Sequence, residues 1–152
     1  MKAIILLQLL LVACGALMSH GASAQDAGTI KTAKGEITVV RGSNAVKGAA
    51  GLALQTGDEV RTGAASSVGI TLRDNTILSA GPNSTLQIDK YSFDPKTQKG
   101  SLETTVKRGS LLGISGAIAK NSPEAVRFKT ASMTLGVRGT EFIIETSSEQ
   151  EK

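Results

Sequence analysis

Val68-Gly69-Ile70-Thr71-Leu72-Arg73-Asp74-Asn75-Thr76-Ile77 is the stretch that decides the fold. Val68, Ile70 and Leu72 alternate with Gly69, Thr71 and Arg73, and a period of two sends the apolar set to one face of an extended strand. Asp74-Asn75 then reads as a two-residue hairpin turn, with Asn supplying the positive φ for which Gly is commoner. Ile77 opens the returning strand.

The same alternation extends in both directions. Ile37 and Val39 sit against Glu36 and Thr38, and further pairs are Leu86 with Ile88, Leu102 with Val106, Val126 with Phe128, Met133 with Leu135 and Val137, and Phe142 with Ile144. These residues are the expected core. Turns are expected at Arg41-Gly42-Ser43-Asn44, Thr56-Gly57-Asp58, Gly81-Pro82-Asn83-Ser84, Asp94-Pro95 through Gly100, and Arg108-Gly109, where Gly, Asn and Pro break the runs. Residues 45–54, rich in Ala and Gly, read equally as a loop or a single turn. Apolar positions are odd-numbered in the run of Met133, Leu135 and Val137 and even-numbered from Phe142, so a bulge or bend is expected across Arg138-Gly139-Thr140. The expected fold class is all-β: one domain over residues 25–146, of about ten short strands with Gly-rich turns, closed as a β-sandwich or short β-roll. A solenoid is the architectural runner-up.

Composition fits this reading. With 152 residues there is chain for one core, and with three Phe, one Tyr and no Trp against 17 Gly that core must be built from Val, Ile and Leu. The formal charge of +4 is dispersed among mixed acids and bases. No nucleic-acid footprint is expected from it.

The N-terminus reads as an address. Met1-Lys2 is followed by an apolar run and by Ala22-Ser23-Ala24, the small residues of a signal-peptidase site, so residues 1–24 are expected to be a signal peptide cut before Gln25. Leu11-Val12-Ala13-Cys14 competes as a lipobox, in which Cys14 would be acylated and become the mature N-terminus. The expected location is periplasmic or secreted, with an outer-membrane lipoprotein as the alternative, and membrane contact only through a lipid on Cys14. Residues 147–152 read as a polar flexible tail.

Removal of residues 1–24 would take away Cys14 and His20, the only residues of their kinds. Nucleophilic triads that need His or Cys, and zinc or copper sites that draw on them, are then excluded, and no Ser-x-x-Lys or Gly-x-Ser-x-Gly signature offers a replacement. Asp58 and Asp74 are the carboxylates that two strands could bring together, although turn-holding is the commoner fate of such residues. No catalytic residue, metal ligand or cofactor is assigned. Lys96, Lys99, Lys107 and Arg108 could form a basic patch, with a solvated face as the plainer reading. Asn83-Ser84-Thr85 matches a glycosylation acceptor within a turn.

Taken in order, Thr56-Gly57-Asp58-Glu59-Val60-Arg61-Thr62-Gly63, the Val68 to Leu72 strand, Asp74, Gly81-Pro82-Asn83-Ser84 and Leu135-Gly136-Val137-Arg138-Gly139-Thr140-Glu141-Phe142 resemble the FecR domain. The resemblance covers most of residues 28–146. It implies an extracytoplasmic β domain that binds another protein, as in transmembrane regulators that listen to an outer-membrane siderophore transducer and hold a cytoplasmic sigma factor. This sequence departs from that plan, with no cytoplasmic segment before its apolar stretch and no signalling domain after Thr146. The expectation is therefore a non-enzymatic protein-binding or ligand-sensing module, with another envelope protein as partner and its oligomeric state open; an envelope-anchored structural protein is the alternative. The family-motif positions are Gly57, Asp58, Gly63, Asp74, Gly81, Ser84, Arg138, Gly139 and Thr140, and a structural role in turns is the plainer expectation for them.

Overall fold

The computed structural model describes residues 26–147, so the expected signal peptide with Cys14 and His20, and all of the expected tail but Ser147, lie outside the described residues. Twelve strands form a curled, almost wholly antiparallel sheet: β1 Asp26–Lys34, β2 Ile37–Arg41, β3 Asn44–Lys47, β4 Ala53–Gln55, β5 Glu59–Thr62, β6 Ser67–Leu72, β7 Ile77–Ala80, β8 Thr85–Asp94, β9 Lys99–Ile114, β10 Val126–Lys129, β11 Thr134–Gly136 and β12 Glu141–Thr146. The all-β class expected from alternation is what the chain adopts. Residues 45–54 are neither a plain loop nor a helical turn: β3 ends and β4 begins within them. Small residues conceal the alternation there, because Ala and Gly contribute little to a hydrophobic pattern.

The sheet has two halves that share one strand. One half runs β4-β1-β6-β7-β9-β12, and the other β3-β2-β5-β8-β9-β10-β11. The first part of β9 pairs with β8 as far as Arg108, while Leu111 to Ile114 pair with β7 and Gly109 to Ile114 with β12. Along β9 the buried positions are even at Leu102, Thr104 and Val106, then odd at Leu111 and Gly113. The slip lies at Gly109, whose φ is +89° and where a Cβ would enter the Ser84 side chain. Arg108-Gly109 is thus a kink inside a continuous strand, correcting the turn expected there. A positive φ reverses a chain only if the strand also stops pairing, and β9 merely changes neighbours.

One core lies between the halves. Ile37, Val39, Val60, Leu86, Ile88, Leu102, Val126 and Phe128 from one half meet Ile30, Val68, Ile70, Leu72, Leu78, Leu111 and Ile144 from the other, and Leu135 and Phe142 pack against them half-buried. Met133 is the exception to the expected core: it is 53% exposed, one residue before β11, because the alternation of residues 133–137 begins ahead of the strand. The hairpin after Leu72 also differs in detail. Its connection is residues 73–76, four rather than two, with Asn75 at φ +65° as expected of the turn residue. The break across residues 138–140 is a bend, where the chain leaves β11 in one half and enters β12 in the other. A short helix, α1 (Ala117–Asn121), and a 3-10 turn (Pro123–Ala125) carry the chain from β9 to β10, which pairs parallel to β9. No helix among the described residues is long and apolar enough to cross a membrane.

Candidate binding edge

Four buried polar posts account for most of the expected site residues. Asp58 is fully buried and receives a fork from Arg41, with Nε donating to Oδ1 at 2.8 Å and Nη2 to Oδ2 at 2.7 Å. The Gln55 backbone N–H donates to the same carboxylate at 2.8 Å, and Arg41 also reaches the Ala53 carbonyl at 2.9 Å. One side chain therefore ties β2, β4 and the Gly57 turn together. The hydrogen bonds to Asp58 hold the Arg41 guanidinium above its ordinary pKa.

Asp74 is 1% exposed. Its carboxylate accepts from the Thr76 hydroxyl at 2.7 Å, from the Ile118 backbone N–H at 3.2 Å and from the Tyr91 hydroxyl at 3.3 Å, while its own N–H donates to the Tyr91 oxygen at 2.9 Å. The residue caps α1 from a distant strand turn, because Gly116 at the N-cap has no side chain with which to do so. Burial first, then the Asp74 charge, push the Tyr91 phenol well above its ordinary range.

The Gly81 to Ser84 turn is the third post. The Thr62 hydroxyl donates to the Gly81 carbonyl at 2.6 Å and accepts from the Ser84 N–H at 2.9 Å, and Ser84 Oγ accepts from the Ser110 N–H at 3.0 Å beside the β9 kink. At the fourth, Glu59 is paired with Lys107 and Arg61. Burial raises the Glu59 pKa, but hydrogen bonds from Lys107 and Arg61 outweigh it and hold the carboxyl below its ordinary value.

Asp58 and Asp74 accordingly share no partner, each being committed to its own turn. Gly57 has φ +93°, whereas Gly63 and Gly81 serve by close approach, to Ser66 and Glu36 and to Ser110 respectively. The four basic residues do not gather. Lys96 and Lys99 stand at the tip of the β8–β9 hairpin, and Lys107 and Arg108, engaged with Glu59 and the Asn83 carbonyl, lie about 26 Å further along β9 at strand spacing. Arg41, Thr62 and Tyr91 carry no local signature of these posts in the sequence, since their partners lie 17 to 22 positions away.

Arg138, Gly139 and Thr140 are exposed, as Gly57 is, whereas Asp58, Asp74 and Ser84 are buried. They join β11 to β12, and a groove of about 230 Å³ lies there, lined by Leu135, Val137, Arg138 and β12 residues including Phe142 and Ile143. Under it the Phe142 ring meets Phe128 at 4.6 Å between centroids and covers Gly113, where any Cβ would collide with the ring. The other side of β12 meets no strand among the described residues. Ile143 on this strand is 66% exposed, and it stands in a cross-strand row with Leu112 and Ser79; Ile77 and Ile114, each 38% exposed, stand in the next row with Glu141. The arrangement offers an unpaired strand edge bordered by apolar side chains, which suits binding by strand addition.

A family model described as FecR protein matches residues 58–152. It begins at Asp58 and takes in the groove and β12. No curated protein and no solved structure matches the chain.

Proposed function

The chain belongs to the FecR protein family, and from that premise we propose that it is an exported, non-enzymatic module of the bacterial envelope that binds another envelope protein as part of signalling. The observation that carries this reading is the open edge of β12 with its exposed Ile143. Elsewhere the groups with chemical potential are spent on architecture: Asp58 on Arg41, Asp74 on the cap of α1, Ser84 on the kink of β9. The edge and its groove have no such internal task. The Ala22-Ser23-Ala24 site supports export to the periplasm, and Leu11-Val12-Ala13-Cys14 favours a second reading in which a lipid on Cys14 anchors the module to the envelope.

Photo-crosslinking in cells that express the full chain tests the binding role. A crosslinker at position 143 is expected to join one defined envelope protein, while one at position 46, on the opposite edge strand β3, yields little. Equal adducts from both positions, or none from any exposed position, would refute the reading. Intact mass of the exported chain separates the two locations: an N-terminus at Gln25 supports the free periplasmic form, and an acylated Cys14 supports the anchored one.

A further inference from the structure

We infer that β12 takes up a strand from its partner whose outward residues read basic, apolar, basic; this rests on the binding role proposed above. The outward face of β12 presents Glu141, Ile143 and Glu145, all exposed, in that order. None of the ion pairs among the described residues involves either glutamate. A strand added antiparallel beside β12 places its side chains directly opposite these three, and opposite charges in that position stabilise while like charges destabilise. Its central apolar residue would extend the row of Ser79, Leu112 and Ile143, and a basic residue would extend the row of Ile77, Ile114 and Glu141. Its inward residues would enter the groove beside Leu135, Val137 and Phe142, which calls for apolar types at those alternate positions.

The same geometry disfavours a second copy of this chain. Side chains keep their faces only in registers that match odd positions to odd. The register centred on Ile143 sets Glu141 opposite Glu145 twice, and the one centred on Ile144 sets Glu145 opposite Ile143, so neither brings a basic residue to either glutamate. A basic strand removes that clash. The remaining edges fit less well: β4 and β11 have three residues each, and β3, though four exposed residues long, carries Lys47 and no acid.

The probe for the test is a capped heptapeptide, Thr-Lys-Val-Val-Leu-Lys-Thr, with a twin in which both Lys are Glu. Titration of the full chain, followed by backbone amide shifts, is expected to show binding of the basic peptide about tenfold tighter than of the acidic one, with shifts confined to β12 and the β11 bend. The Glu141→Lys/Glu145→Lys variant should reverse the preference. Should that variant fail to fold, Glu141→Gln/Glu145→Gln should abolish the preference instead. Equal binding of both peptides, shifts centred on β3 or β4, binding of neither peptide, or self-association through β12 would each overturn the inference. A partner captured in cells at position 143 whose binding ignores the charge changes would overturn the strand chemistry while leaving the binding role intact.

Discussion

Tyr91 offers the most quantitative test of the buried polar scheme. The chain has one Tyr and no Trp, so the absorbance of phenolate reports that side chain alone. Its hydroxyl accepts from the Asp74 N–H and donates to the Asp74 carboxylate, and the residue is 5% exposed. At pH 8, Tyr91→Phe should lower stability by about 1–2 kcal/mol, the net worth of hydrogen bonds whose partners stay buried. In alkali the sign changes. The phenol is raised in the folded chain above its ordinary 10.0, so above pH 10 the unfolded chain releases a proton that the folded chain retains. Each further pH unit then removes about 1.4 kcal/mol of stability from the Tyr chain and none from the Phe variant on this account. The two stabilities should therefore converge near about pH 11, and the Phe variant should be the more stable beyond it. Urea unfolding of both proteins between pH 8 and 12, with absorbance and far-ultraviolet circular dichroism followed together, is the assay. Phenolate appearing with a midpoint near 10 while the sheet is intact, or a stability gap that does not change with pH, would refute the assignment of Tyr91 to a buried post on Asp74.

Three other perturbations probe the remaining posts. Asp58→Ala and Arg41→Ala should each cost about 3 kcal/mol, and the double variant much less than the sum, as read from a double-mutant cycle by urea unfolding. Gly109→Ala combines a left-handed φ with a collision against Ser84, so it should destabilise by more than about 2 kcal/mol, and adding Ser84→Gly should recover only part of the loss in thermal unfolding. Glu59 has a carboxyl held below its ordinary 4.5, so its stabilising contribution is complete above that pH and is lost as pH falls through the lower folded value. Acid unfolding should accordingly flatten in Lys107→Met relative to the parent chain across that window, and identical pH dependence in the two would contradict the pairing.

Alternation was sufficient to foresee an all-β chain and most of its interior, because a period of two is a property of neighbouring residues and of nothing else. Ile37, Val39, Val68, Ile70, Leu72, Leu86, Ile88, Leu102, Val106, Val126, Phe128 and Ile144 are all buried as their parity predicted. Turn residues were legible for the same local reason, with Gly42, Gly57, Asn75 and Asn83 taking the positive φ that their types allow. Where pattern and strand end disagree, parity misleads: Met133 opens a rhythm that the backbone takes up only from Thr134.

What lay beyond the sequence depended on residues far apart in the chain. A break at Arg108-Gly109 is written in the sequence, but whether it marks a reversal or a kink depends on which strands stand beside β9, and those come from residues 77–80, 85–94 and 141–146. Likewise Asp58 and Asp74 announce polar turns, while Arg41, Tyr91 and the end of α1 become their partners only once the halves of the sheet close. The open edge of β12 is the clearest case. No single residue declares itself unpaired, because an edge is a statement about the strand that is missing, and only the completed order of the sheet decides which strand has no neighbour.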